Sequence, residues 1–149
     1  SSSSRGLGDV YKRQVEPFGI KKISTIDGRT IYRRTQGMSN RVVSNQAVIL
    51  MNNLLYAVLD WGTGKAARIE HPAAGKTGTT QGHRDAWFIG YTSHYVAGIW
   101  MGNDNGHPTS RLTGGSLPAK LWRLIMEDAH QGLPYRRLPG IKTLVNKID

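Results

Sequence analysis

The sequence has 149 residues, with 20 Lys and Arg against 10 Asp and Glu, so its formal net charge is +10. This length suffices for one domain with a hydrophobic core. Cysteine is absent, which excludes disulfides and thiolate metal sites from these residues. No apolar run is long enough to span a bilayer, and the first residues show no signal-peptide pattern.

The positive charge favours polyanionic neighbours such as nucleic acid, anionic lipid or acidic polymer. The basic residues are spread along the chain, with three local pairs at Lys21-Lys22, Arg33-Arg34 and Arg136-Arg137. No groove-reading motif and no basic helix studded with aromatic residues accompanies them. We therefore expect a solvated basic surface and no nucleic-acid partner. A basic nucleic-acid-binding module stays as an alternative, which salt-dependent binding to DNA would support.

Composition divides the chain into three parts. Residues 1–14 open with a serine run and have no apolar period of 2 or 3.6. We interpret them as a non-homologous or disordered lead-in: a linker, an expression scar or a translated non-coding segment. Residues 15–140 carry the patterned sequence, and 141–149 form a weakly patterned tail.

The first patterned element is a β-hairpin at residues 20–34. The Asp-Gly dipeptide at 27–28 favours a tight two-residue turn, which would place Thr25 opposite Thr30 and Ile23 opposite Tyr32. We expect this element to be structural.

A helix is predicted from Ser44 to about Asp60, because apolar residues recur there at steps of three and four. Ser44 is the expected N-cap, and Gly62 the expected stop.

Three strands follow at 76–80, 86–91 and 95–101, and their short connections predict an antiparallel meander. The second and third strands are apolar on both faces, which predicts that both faces are covered. Residues 102–113 are polar and predict a loop.

A second helix is expected with Ser116 as its N-cap, Pro118 in its first turn and a stop at Gly132. Its buried stripe is predicted to comprise Leu121, Leu124, Ile125 and Ala129.

The strand at 76–80 carries the chemistry of the sequence. Alternation puts Lys76 and Gly78 on one face and Thr77 and Thr79 on the other. A cation among hydroxyl groups suits a carboxylate and a polarised carbonyl. On an edge strand the free backbone groups would pair with an extended peptide, and Gly78 would admit that peptide without a Cβ in the way. The Thr79 N–H could then serve as an oxyanion donor.

The sequence contains no other local catalytic motif, although it leaves a Ser-His-Asp set of residues distant in sequence open. The five histidines, at 71, 83, 94, 107 and 130, stand alone without metal-ligand spacing, and each is expected to be a loop or surface residue. There is no Gly-x-Ser-x-Gly elbow. We expect no metal and no cofactor.

Several sequence blocks together resemble the closing part of a penicillin-binding protein transpeptidase domain. They are Lys-Thr-Gly-Thr-Thr at 76–80, Arg-Asp-Ala-Trp-Phe-Ile-Gly-Tyr at 84–91 and Trp-Met-Gly-Asn-Asp at 100–104. Gly-Thr-Gly-Lys-Ala-Ala at 62–67 and Thr-Gly-Gly-Ser at 113–116, with Trp122, are similar to the class A, bifunctional branch. The resemblance covers roughly residues 15–140, which it implies are the C-terminal portion of such a domain.

The resemblance implies serine acyl transfer that cross-links peptidoglycan stem peptides ending in D-Ala-D-Ala, with β-lactams as inhibitors. It implies a catalytic role for Lys76, whose ammonium would keep the proton network of the active-site hydroxyls poised. Thr77 and Thr79 would bind the terminal carboxylate, Gly78 would leave room, and the Thr79 N–H would form half of the oxyanion hole. The parent protein would act at the periplasmic face of the bacterial cytoplasmic membrane.

The sequence departs from this family in its nucleophile. No Ser-x-x-Lys and no Ser-x-Asn occurs in the 149 residues. We therefore expect a C-terminal fragment that holds one wall of an active site and is inactive alone, with the nucleophile and membrane anchor upstream. The alternative is a non-catalytic relative that binds wall peptides or β-lactams. The upstream gene sequence separates the two, because both missing motifs there would support the enzyme.

The expected fold class is α+β, an antiparallel β-sheet flanked by helices. It would form a partial β-lactamase/transpeptidase-like fold in which the five-stranded sheet of the family is incomplete. Such a fragment is expected to expose a surface that absent helices would cover.

Overall fold

The computed structural model describes residues 19–35 and 43–141 and has an α+β fold, as expected. Its strands are β1 (Lys22–Ser24), β2 (Thr30–Arg33), β3 (Ala74–Thr79), β4 (Asp85–Tyr91) and β5 (Val96–Gly102). Its helices are α1 (Asn45–Asp60) and α2 (Leu117–Ala129), with single 3-10 turns at Lys65–Ala67 and Gln81–His83. The lead-in at 1–14 lies outside the described residues. None of the described helices is both long and apolar enough to cross a membrane.

Two compact units divide the chain between Val48 and Ile49, and the first contains the hairpin of β1 and β2. The hairpin and the predicted pairing of Ile23 with Tyr32 are confirmed, but the predicted pairing next to the turn is wrong. Thr30 pairs with Ser24 rather than Thr25, with an irregularity between Ile23 and Ser24. The Gly28 N–H donates to the Thr25 carbonyl at 2.9 Å, and Gly28 has a φ of 88°. The turn is therefore centred one residue earlier, and the glycine takes the left-handed position that follows a type I turn.

Helix α1 begins and ends where the sequence predicts. The Ser44 hydroxyl accepts the Ala47 N–H at 3.2 Å, which confirms the N-cap. At the other end, the Gly62 N–H donates to the Ala57 carbonyl at 2.9 Å. A Cβ on Gly62 would lie 2.8 Å from the Val58 Cα, which is too close for any residue other than glycine. The helix therefore ends at a position that requires glycine.

The second unit is built on an antiparallel sheet in the order β3-β4-β5, which confirms the predicted meander. Trp87 of β4 pairs with Gly78 of β3 and with Trp100 of β5. Among the described residues, β3 and β5 each have a neighbouring strand on one side only.

The hydrophobic core lies between one face of this sheet and α2. Phe88 and Trp122 are fully buried, and their rings meet edge to face at 5.2 Å. The Trp122 indole N–H donates to the Ala97 carbonyl at 3.0 Å. A Cβ on Gly90 would lie 2.8 Å from the Trp122 ring, so the glycine makes room for the indole. We call this side of the sheet the core face.

Helix α2 begins after Ser116, as predicted, but the Ser116 side chain makes no capping hydrogen bond. The predicted buried stripe of α2 is wrong. Leu121, Leu124 and Ile125 are exposed, whereas Pro118, Ala119, Trp122 and Met126 are buried. Both sets recur at helical spacing, and the tryptophan decides between them because it is the larger apolar surface and reaches a hydrogen-bond acceptor in the sheet.

The opposite side of the sheet is open among the described residues. Trp87, Ile89 and Trp100 are 42%, 38% and 44% exposed, and the two indole rings lie 6.3 Å apart. The prediction that both faces of these strands are covered is therefore wrong. The separate expectation, that a fragment of this fold exposes surface which absent helices would cover, agrees with this apolar side. We call this side the open face.

A buried histidine joins the C-terminus of α2 to the turn between β4 and β5. His130 Nδ1 lies 2.6 Å from the Met126 carbonyl, so this nitrogen carries a proton. The Thr92 hydroxyl accepts the backbone N–H groups of His94 and Tyr95. Its own proton therefore goes to His130 Nε2, which lies 2.8 Å away.

Three histidines gather at this point. His71 and His94 lie in loops, as expected, whereas the expectation of a loop or surface residue is wrong for His130, which is buried at the end of α2. The His71 ring lies 4.6 Å from that of His130 and 6.1 Å from that of His94. Burial, followed by the positive charge that His130 and His94 would bring, lowers the pKa of His71, while Glu70 opposes the shift. No trio of metal-ligating side chains with suitable geometry occurs in residues 19–35 and 43–141.

We predict that Trp122→Ala lowers the free energy of unfolding by about 3–5 kcal/mol, because it empties the centre of the core. Leu124→Ala, on the exposed side of the same helix, is the control and should change it by roughly 0.5 kcal/mol or less. Urea unfolding followed by circular dichroism measures both. Equal losses in the two variants would show that α2 packs by its other face.

Acidification should destabilise the fold through His71. Its pKa lies below the ordinary value of 6.5, so the unfolded chain binds more protons between the two values. The contribution of neutral His71 to the free energy of unfolding is complete above pH 6.5 and is lost as the pH falls toward the folded-state pKa. His71→Phe keeps an aromatic ring that cannot be charged. Between about pH 7 and pH 5, its free energy of unfolding, measured with urea, should therefore change less with pH than that of the wild type. Identical slopes in wild type and His71→Phe would contradict the prediction.

Candidate functional site

Strand β3 presents the side chains singled out in the sequence. Lys76 and Thr79 are exposed, and Thr77 and Gly78 are half-buried. The two threonines lie on the core face, since Thr77 pairs with the buried Phe88 and Thr79 with the buried Ala86. Lys76 and Gly78 begin on the open face, as alternation predicts.

The backbone of β3 has a free edge beside these residues. The Thr80 N–H donates to the Asp85 carbonyl at 3.0 Å, so it points toward β4. Backbone groups alternate between the two sides of a strand, and Thr79 N–H therefore points away from β4. The Thr77 carbonyl also points away, because it accepts the Lys76 ammonium at 2.8 Å. Thr77 and Thr79 thus offer their backbone groups to an added strand.

The Lys76 side chain bends around this edge. Its ammonium lies 2.8 Å from the Thr77 carbonyl and 3.3 Å from the Thr77 hydroxyl. An ammonium group has three N–H donors, so one is left for another acceptor. The carboxylate ion pairs of the described residues are Arg68–Asp60 and Arg123–Glu127, and neither involves Lys76. The cation is therefore available to a ligand carboxylate.

Two glycines of β3 have different reasons to be glycine. A Cβ on Gly75 would lie 2.9 Å from the Phe88 ring and 3.0 Å from the Gly90 Cα, so core packing requires it. A Cβ on Gly78 would meet the Trp87 side chain at 3.3 Å and no other residue closer than that. Packing alone therefore does not require glycine at position 78. The open surface beside Gly78 is available to a ligand.

The far end of β3 is fixed by a polar clamp. The Thr80 hydroxyl accepts the Asp85 N–H at 2.8 Å, and the Asp85 carboxylate accepts the Trp100 indole N–H at 3.0 Å. The turn at Gln81–His83 is held in turn by Thr109, whose hydroxyl donates to the His83 carbonyl at 2.6 Å. These contacts hold β3 in place where it leaves the sheet.

The structure adds two contributors that sequence analysis did not assign. Thr63, just after α1, places its hydroxyl 2.8 Å from that of Thr77. Gly114, just before α2, donates its N–H to the Thr79 hydroxyl at 3.1 Å. Both come from glycine-containing blocks that the sequence could match to a family but could not place beside β3.

Comparison with known proteins supplies the family. Residues 10–127 match the family described as penicillin binding protein transpeptidase domain. The chain is 32% identical over 130 residues to penicillin-binding protein 1A of Clostridium tetani, covering 83% of this chain and 16% of that protein. It is 33% identical over 148 residues to penicillin-binding protein 1A of Pseudomonas aeruginosa, covering 95% and 17%. The chain thus spans less than a fifth of these relatives.

Solved structures share the fold. Penicillin-binding protein PonA1 from Mycobacterium tuberculosis superposes with a TM-score of 0.73 at 19% identity, covering 92% of this chain and 42% of that one. Penicillin-binding protein 1A from Haemophilus influenzae gives 0.62 at 20% identity, covering 85% and 25%. The α+β meander with its flanking helices is therefore the arrangement of this fold. The chain belongs to the penicillin-binding protein transpeptidase family, as a piece of a class A transpeptidase domain.

Proposed function

We propose that the free edge of β3 binds the C-terminal carboxylate of a peptidoglycan stem peptide, or that of a β-lactam, for serine acyl transfer by the parent protein. The observation that carries the proposal is the Lys76 ammonium at an unpaired strand edge, 2.8 Å from the Thr77 carbonyl and without a carboxylate partner in the described residues. A solved relative of the same fold is an imipenem acyl-enzyme complex, which supports the class of ligand.

The roles divide along the strand. An extended peptide would add to the edge at the backbone groups of Thr77 and Thr79. Its terminal carboxylate would accept from Lys76 and from the threonine hydroxyls, because hydrogen bonds to an ionised acceptor are the strong ones. Gly78 would admit the peptide backbone. The Thr79 N–H would face the carbonyl under attack and stabilise the oxygen on which negative charge develops.

The nucleophile would come from another part of the parent domain. The family resemblance implies a nucleophilic serine in a Ser-x-x-Lys motif, and these 149 residues contain no such motif. The nucleophilic serine would form an ester with the penultimate D-alanine carbonyl and release the terminal D-alanine. Lys76 would keep the proton network near that serine poised. These steps would take place on the periplasmic side of the cytoplasmic membrane.

Carboxylate binding should depend on Lys76. We expect a peptide that ends in D-alanyl-D-alanine to bind the 149-residue chain more tightly as the free acid than as the C-terminal amide. Lys76→Ala should weaken binding of the acid about 10- to 100-fold, because a hydrogen bond to a charged group is lost. NMR titration measures the affinities. Lys120→Ala removes an equivalent exposed charge from α2 and is the control. Equal affinity of wild type for acid and amide would overturn the proposal.

The 149-residue chain should form no covalent adduct with labelled penicillin. Loss of the nucleophile from an acyl-transfer site removes the covalent step, even where a binding surface remains. Denaturing gel electrophoresis after incubation tests this, with a full-length class A relative as the positive control. A stable labelled band on this chain would show that another of its side chains is acylated.

A further inference from the structure

Thr63 belongs to the turn that follows α1, and the backbone of this turn is fixed. The Gly62 N–H donates to the Ala57 carbonyl at 2.9 Å, and the Gly64 N–H donates to the Val58 carbonyl at 2.8 Å. These bonds secure the residues on both sides of Thr63. The Thr63 side chain itself is exposed, and its hydroxyl reaches Thr77 at 2.8 Å.

A second segment holds Thr63 against β3. Gly115 lies so close to the Thr63 carbonyl that a Cβ there would overlap it, and the same Cβ would lie 3.6 Å from the Thr77 methyl group. The neighbouring Gly114 donates to Thr79. The Ser116 hydroxyl closes this segment by donating to the Thr113 carbonyl at 2.7 Å. The position of Thr63 is thus determined by close backbone packing that a larger residue at 115 would prevent.

The hydrogen bonds around the Thr77 hydroxyl leave one proton to be placed. An ammonium group can only donate, so Thr77 Oγ1 accepts from Lys76 Nζ at 3.3 Å. If Thr63 also donates, both lone pairs of Thr77 Oγ1 are used. The Thr77 proton must then go to a third group, outside the trio. In the opposite orientation, the Thr77 hydroxyl donates to Thr63 and has no proton left to donate to a ligand.

A carboxylate at the strand edge selects between these two orientations. It has no proton to give, so it can form a hydrogen bond with the Thr77 hydroxyl only where Thr77 is the donor. This requires Thr63 to be the donor within the threonine pair. The hydroxyl of Thr63 thereby turns the Thr77 hydroxyl outward and increases the positive polarisation of its proton through a chain of hydrogen bonds.

We propose that Thr63 is a positioning residue of the carboxylate site, holding the Thr77 hydroxyl as an outward donor beside the Lys76 ammonium. The inference rests on the proposed function, because it specifies how the edge of β3 recognises an acid. It adds to that edge a residue from a different segment, 14 positions before Thr77.

Two substitutions at Thr63 test the inference. Thr63→Val keeps the shape of the side chain and removes the hydroxyl, whereas Thr63→Ser keeps the hydroxyl. Residue 63 is exposed, so both variants should fold. The probe is the peptide ending in D-alanyl-D-alanine, as free acid and as C-terminal amide, titrated into the 149-residue chain. The ratio of the two affinities is the readout, because a purely structural change would weaken acid and amide alike.

We expect Thr63→Val to reduce the acid-to-amide ratio about three- to ten-fold, the effect of one hydrogen bond. Thr63→Ser should restore the ratio. In the unliganded chain, the Thr77 Cβ and methyl resonances should shift in Thr63→Val and stay near their wild-type positions in Thr63→Ser.

A wild-type ratio in Thr63→Val would overturn this inference and leave the proposed function intact. An unchanged Thr77 spectrum in Thr63→Val would also overturn it, because the hydroxyl pair would then not exist in solution. Absence of any acid preference in the wild-type chain would overturn the proposed function, and this inference with it.

Discussion

The packing of Trp122 against Gly90 and Phe88 is the contact on which the rest of the second unit depends. The indole fills the space left by the missing Gly90 side chain and bonds to the Ala97 carbonyl of β5. It therefore fixes α2 across the core face in one orientation. The segment just before α2 is carried to the end of β3, where Gly114 meets the backbone of Gly78. A contact in the core thus determines which residues can support the site.

The site itself combines segments that are distant in sequence. Lys76 to Thr79 come from one strand, Thr63 from the exit of α1, and Gly114 from the approach to α2. Each supporting contact falls on the core face, where the threonines lie. The lysine reaches the same edge from the open face. Thr63 and Gly114 contact the threonine hydroxyls and not the outer backbone groups of β3, where the Thr77 carbonyl accepts the Lys76 ammonium.

The sequence predicted those elements whose signals are local. The strands of the meander and the limits of α1 follow from periodicity and end signals close to each element. The buried side of α2 was mispredicted because Leu121, Leu124 and Ile125 form a plausible stripe, and only the sheet decides that Trp122 and Met126 face inward. The hairpin turn was placed one residue late because Asp-Gly suits more than one turn. Thr63 and the cluster around His130 could not be predicted, since both depend on contacts between segments 14 to 59 positions apart.

The open face has a thermodynamic consequence for measurements on the isolated chain. Trp87 and Trp100 are partly exposed to solvent. The outer backbone groups of β5 have no neighbouring strand among the described residues. Apolar surface and unpaired strand edges favour self-association. Association that involves only folded molecules stabilises them by mass action, so the apparent melting temperature becomes a function of protein concentration. Measuring the melting temperature over a dilution series would separate the intrinsic stability of the fold from the contribution of self-association through the open face and the edge of β5.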